Sequence, residues 1–133
     1  MTELVPSSHH DLLGDQAKAL AFLAATTADG APHVTPVWFD VAGDLIRVNT
    51  ARGRVKYWNM LRRPRVALAI SDREDPYRYI QIRGSVVGST EDGARDHISL
   101  LAKKYRGWDT YPVPEGQVRV IFTIRPERVS VGS

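Results

Sequence analysis

The chain of 133 residues contains no cysteine. A disulfide framework and thiolate metal sites are therefore excluded, and the absence fits a reducing compartment. It also lacks any run approaching the ~20 apolar residues that span a bilayer as a helix. Its first residues, Met1 to Pro6, include the acidic Glu3 and no long apolar stretch, so no secretory leader is expected. These features predict a cytoplasmic protein without a membrane partner. No HExxH, no Cys/His cluster, no paired-carboxylate motif and no GxSxG is found, so neither a metal site nor a hydrolytic nucleophile is expected. His9 and His10 sit near the terminus, and His33 and His97 stand apart from other ligating residues. No residue is assigned a catalytic role.

What is present reads as one soluble domain over residues 1–133, 43% hydrophobic and 25% charged. The net charge of +3, from 18 basic and 15 acidic residues, is too mild to imply nucleic acid. Nor are aromatics interleaved with the arginines in an RNA-binding pattern. The placement of charge says more. From Arg47 to Arg65 there are seven basic residues and no Asp or Glu, a local cationic surface that should attract an anionic ligand.

Ser7 to Asp11 offers several helix caps, and Leu12, Leu13, Ala17 and Leu20 or Ala21 recur at roughly helical spacing, which predicts a short helix giving way to a strand from Ala19 to Thr27. Asp29-Gly30 marks a turn into a second strand, His33 to Phe39, whose Pro36 belongs at an edge or a bulge. Leu45 to Thr50 alternates as a half-buried strand. Arg52 to Arg63 has helical character with Val55, Trp58 or Asn59, and Met60-Leu61 on its apolar face, and Arg63-Pro64 should end it. Val66 to Ile70, Tyr77 to Val87 and Val118 to Ile124 complete six strands. A second helix covers Glu91 to Tyr105, and the tail after Arg125 is placed at a sheet edge. Antiparallel strands with short turns, without β–α alternation, favour a barrel with peripheral helices.

The strand-to-helix junction at Thr50 to Lys56 carries the main functional signal. The first N–H groups of a helix lack internal partners, and the macrodipole adds partial positive charge there. Gly53 lets the backbone approach an anion, and Arg54 and Lys56 add full charges, Arg as a two-pronged donor and Lys as a point charge. The ordinary alternative is a solvated basic helix face. Spacing alone favours that alternative about two to one. Thr35-Pro36-Val37-Trp38 is a second candidate, a proline-interrupted strand able to meet a flat heteroaromatic ring, or else a plain edge strand. Tyr77, Arg78 and Tyr79 form a third patch, whose alternative is cross-strand packing.

In their order along the chain, these segments resemble the split-barrel flavoproteins of the pyridoxamine 5′-phosphate oxidase type, in particular the branch that uses the deazaflavin coenzyme F420. The likeness is carried by Asp29 to Trp38, Val48 to Lys56 with Asn59, Arg63 to Ala67, Tyr79 to Gly84 and Arg125 to Val129. The resemblance implies a mainly β fold, a six-stranded antiparallel split β-barrel, forming a homodimer with the cofactor at the subunit interface. It assigns Arg54 and Lys56 to the cofactor phosphate. Asn49, Thr50, Ala51, Val55 and Asn59 lie along the approach, and Thr35, Pro36, Val37 and Trp38 lie against the ring. Tyr77, Arg78 and Tyr79 close over it from one subunit, and Arg52, Arg62 and Arg65 are available to a poly-glutamate tail. The implied activity is hydride transfer from reduced F420 to an unsaturated small molecule. F420 and FMN both carry a phosphate on a ribityl arm, so the residues alone leave an FMN-dependent oxidoreductase open. A non-catalytic cofactor-binding or sequestering protein is also open.

Overall fold

The computed structural model describes residues 3–132. A 3-10 helix, Ser7–Leu13, precedes β1 (Leu20–Thr26), β2 (Pro32–Val37), β3 (Phe39–Ala42) and β4 (Leu45–Ala51). Then come α1 (Val55–Arg62), β5 (Arg65–Ser71), β6 (Tyr79–Thr90), α2 (Ala94–Arg106) and β7 (Arg119–Gly132). The strands form one antiparallel sheet in the order β2-β1-β5-β6-β7-β4-β3.

That order dictates the curvature. β2 and β3 lie at opposite ends of the sheet, yet only Trp38 separates them in the chain. The sheet must therefore curl until its two ends meet at Trp38, as in a split barrel. The seven strands observed exceed the six expected because the run His33 to Phe39 is cut at Trp38, and Phe39–Ala42 pairs with β4 as a strand of its own. Pro36 sits opposite Phe22 on β2, which pairs only with β1, so its missing N–H falls on an edge strand as expected.

Alternation sorts the side chains. Ile46 and Val48 of β4, Phe122 and Ile124 of β7, Leu68 and Ile70 of β5, and Ile80 and Ile82 of β6 fill the interior. Leu12 of the 3-10 segment joins this core, and His9, expected only as a terminal residue, is buried with Nε2 2.9 Å from the Gly132 carbonyl. The expected helix shortens to 3-10 geometry ending at Leu13, and Ala17 lies in the turn before β1.

Two further expectations are corrected. The tail is no appendage at the sheet edge: β7 runs unbroken to Gly132, pairing with β4 through its first half and with β6 along its length. On α1, Val55, Trp58 and Leu61 face outward, with Trp58 40% exposed, while Tyr57, Asn59 and Met60 turn inward. Tyr57 is held there edge-on to Phe122, at 5.8 Å between ring centroids.

The β6–β7 register shifts between Arg83 and Gly84, and a Cβ on Gly84 would lie 2.3 Å from the Arg125 carbonyl oxygen. Backbone cannot yield as a flexible side chain does. Gly84→Ala is therefore expected to lower unfolding free energy by about 1–3 kcal/mol. Urea denaturation monitored by tryptophan fluorescence reads this directly, and an unchanged midpoint would refute the close approach.

Candidate active site

The break at Trp38 releases backbone groups from the sheet, and α2 satisfies them. Lys104 Nζ donates to the Phe39 carbonyl at 2.7 Å, and the Phe39 N–H donates to Tyr105 Oη at 3.3 Å. The Tyr105 hydroxyl in turn donates to the Ala19 carbonyl at 2.7 Å, and burial pushes its pKa up. The Tyr105 ring stacks on Trp38 at 5.3 Å and 8°. Trp38 is thus held out of the sheet at the seam of the barrel.

Beside it opens a cleft of about 300 Å³, lined by Leu20, Pro36, Val37, Trp38, Asn49, Lys56, Ile98, Tyr111 and Arg119. Tyr111 meets Trp38 edge-on at 6.3 Å, and its N–H donates to Ser99 Oγ at 3.0 Å, which pins the loop after α2 to that helix. One wall is aromatic. The other is cationic: Lys56 and Arg119 reach the cleft, and Arg54 stands at the start of α1. Burial lowers the Lys56 pKa, and the charges of Arg54 and Arg119 lower it further. Arg119 is likewise depressed, first by burial, with the charge of Arg54 adding to it. The helix start has no acidic residue in its first turn and no side-chain cap, and Gly53 turns into it at φ +94°. Among the described residues, no carboxylate pairs with Arg54, Lys56 or Arg119.

This donor set fits a ligand that joins a phosphate to a flat ring. Fixed cations would receive the anion and Trp38 would face the ring. Lys56 Nζ donates to Thr35 Oγ1 at 3.4 Å, which ties the two candidate segments together.

The structure brings Pro36, Val37, Trp38, Asn49 and Lys56 into one cleft, with Thr35 beside Lys56 and Arg54 at the helix start. It does not bring in the others. Thr50 shares the inward face of β4 with Ile46 and Val48, and its Oγ1 is buried without a protein partner. Ala51 is buried and contributes backbone, its carbonyl accepting from the Arg54 N–H. Val55 points to solvent. Asn59 is buried on the inner side of α1, its Oδ1 accepting from Arg63 and its Nδ2 without a partner. Tyr77, Arg78 and Tyr79 lie outside the cleft of their own chain. Arg78 is ion-paired to Asp11 and Asp72, and Tyr79 packs on Gly132. Of the three arginines placed near a tail, Arg52 pairs with Glu91 and Arg62 stacks over Trp58.

Sequence reasoning missed Arg119, Tyr111 and a buried network beneath α2. His97, read as isolated, is buried with Nε2 3.0 Å from Asp40 Oδ1 and Nδ1 3.0 Å from Asn49 Nδ2. Asp40 also takes a two-pronged bond from its cross-strand neighbour Arg47, at 3.0 and 2.7 Å. A usable signal existed. Arg119 interrupts the apolar run Val118 to Ile124, and a charged residue inside such a strand needs a reason.

The closed seam, the seven-stranded curled sheet and the cationic cleft define a split β-barrel. Residues 15–131 match the sequence profile of the pyridoxamine 5′-phosphate oxidase family, and the chain belongs to that family. Among solved structures, it is 32% identical to an F420 reductase, with a TM-score of 0.84 over 95% of this chain and 98% of that one. A conserved hypothetical protein of Mycobacterium tuberculosis is 20% identical, with a TM-score of 0.74 over 100% of this chain and 88% of that one. A candidate pyridoxamine 5′-phosphate oxidase of Listeria innocua is 17% identical, with a TM-score of 0.70 over 93% and 94%. The last two share the fold. No curated protein matches the chain. No helix among the described residues is long and apolar enough to cross a membrane.

Proposed function

We propose that this protein is an F420-dependent reductase acting on an unsaturated small molecule. The observation that carries the reading is the joining, in one cleft, of uncompensated cations with the Trp38–Tyr111 wall, in a chain 32% identical to an F420 reductase. Reduced deazaflavin supplies the hydride when bound. The protein's own part is to hold and orient. Arg54 and Lys56 take the phosphate, Trp38 and the backbone of Thr35 to Val37 border the ring, and Ile98 and Tyr111 narrow the space for water. A homodimer fits this reading. Val55, Trp58 and Leu61 form an outward apolar stripe on the helix that begins at the cation cluster, and a second copy would cover it. Tyr77, 77% exposed, is then free to approach the partner's cleft.

The family itself favours FMN as the second reading, since its fold binds flavins. Titration of the purified protein with F420 and with FMN, followed by fluorescence, separates them. Tight F420 binding that strengthens with tail length and weakens with salt is expected. Preference for FMN would replace the cofactor, and binding of neither would point to sequestration of another ligand.

A further inference from the structure

Arg119 is 4% exposed, yet no carboxylate neutralises it. Its Nε–H donates to Asn49 Oδ1 at 2.9 Å and Nη1 donates to Gln117 Oε1 at 3.0 Å. Nη2 has no acceptor among the described residues, although Arg119 lines the cleft. The aromatic face of Tyr111 lies 5.4 Å from the guanidinium carbon. A buried arginine served only by neutral acceptors is an unusual state, because a desolvated charge is costly without a counter-charge.

The orientation of that guanidinium is overdetermined. Arginine can only donate, so Asn49 must turn its Oδ1 toward Arg119. Asn49 Nδ2 then faces the Ala94 carbonyl at 2.9 Å and His97 Nδ1 at 3.0 Å. His97 Nδ1 must accept, so the ring proton sits on Nε2 and is donated to Asp40. Asp40 is held by Arg47. Each member permits one arrangement of the next, from Arg47 on the sheet to the free edge of Arg119 in the cleft. Chains of this kind rigidify a site when every polar group within them is satisfied.

We propose that Arg119 is an anion-binding residue of this cleft, taking a phosphate or carboxylate on the free edge of its guanidinium. Asn49 is the positioning residue that aims it. The inference uses the cleft described above as a ligand site, and it does not depend on F420 being the cofactor. Arg119 is more deeply buried than Lys56 and far more than Arg54, and it is preset, so its contribution should resist added salt better than theirs.

The test uses inorganic phosphate on the intact protein, against chloride of equal ionic strength, with binding measured by calorimetry and by the shift in Tm. Wild-type protein should bind phosphate beyond the chloride control. Arg119→Gln should weaken it by about tenfold or more, and Arg119→Lys should retain part of it. Asn49→Asp places a carboxylate against Arg119. It also removes the donor to Ala94 and His97, so Tm should fall, but phosphate binding should be lost even at temperatures where the variant is fully folded. Titration with F420 and FMN then identifies the source of the anion. Loss of affinity for either in Arg119→Gln assigns it to the cofactor. Unchanged cofactor affinity, with acetate or phosphate still binding to cofactor-loaded wild-type protein, assigns it to the substrate. Wild-type phosphate affinity in Arg119→Gln, or no binding by wild-type protein beyond chloride, overturns the proposal. Neither result would bear on whether F420 binds.

Discussion

Replacing Arg54 and Lys56 together by alanine is expected to weaken cofactor binding by about 100-fold or more while the fold survives. Charge-assisted hydrogen bonds contribute about 1.5–3 kcal/mol each, and two lost together reach that range. Stability should hardly fall. Arg54 has no side-chain partner among the described residues, and Lys56 has only the long bond to Thr35. Lys56 is instead desolvated and repelled by Arg54 and Arg119, so removing both charges relieves strain in the empty protein. Of the single variants, Lys56→Ala should lose more, because its ammonium lies in the cleft and Arg54 stands nearer bulk solvent. Fluorescence titration at two salt concentrations measures the effect, with urea midpoints as the control for folding. An affinity equal to wild type in the double variant would remove these residues from the phosphate site, whichever cofactor binds.

The legible parts of this protein were those in which neighbouring residues decide the outcome. Alternation in Leu45–Ala51 and the turn at Asp29-Gly30 are local, and the strands they mark were found where expected. The basic junction before α1 was legible for the same reason, since Gly53, Arg54 and Lys56 sit on one short stretch. What failed was long-range. Trp38 looked like the interior of a strand because only the meeting of the two sheet ends turns it into a seam. Of the residues read as the apolar face of α1, Met60 and the alternative Asn59 turn inward, but Val55, Trp58 and Leu61 do not, although they have helical spacing. The stripe that turns inward carries Tyr57, which meets Phe122 on a strand about 65 residues further along the chain. The partners of His97 come from β3 and β4, about 50 residues distant, and no spacing rule joins them. Arg119 reached the cleft through the same long-range pairing of β7 with β4.

Asp40→Ala is expected to lower unfolding free energy by about 2–4 kcal/mol. It strips the acceptor from buried His97 Nε2–H and leaves Arg47 without its two-pronged partner. The same carboxylate should make stability depend on acid. Burial alone would raise its pKa, but the hydrogen bonds from His97 and Arg47 and the positive charge of Arg47 outweigh burial and bring it to about 2, from 3.8. The folded pKa is the lower one, so the unfolded chain takes up the proton first as pH falls. The stabilisation is therefore complete above about pH 5 and fades as pH drops through 4 toward 2, by roughly 1–2 kcal/mol once solvent screening is allowed for. Asp11, Asp29 and Asp72 are lowered too, but they are common to both proteins and lie outside the Asp40 network. The difference between wild type and Asp40→Ala therefore isolates Asp40. Urea denaturation of both proteins from pH 7 to pH 3 should show the gap narrowing as the acid is protonated. A gap that stays constant over that range would mean that Asp40 is not held ionised by His97 and Arg47. The network would then orient Asn49, and through it Arg119, by shape rather than by charge.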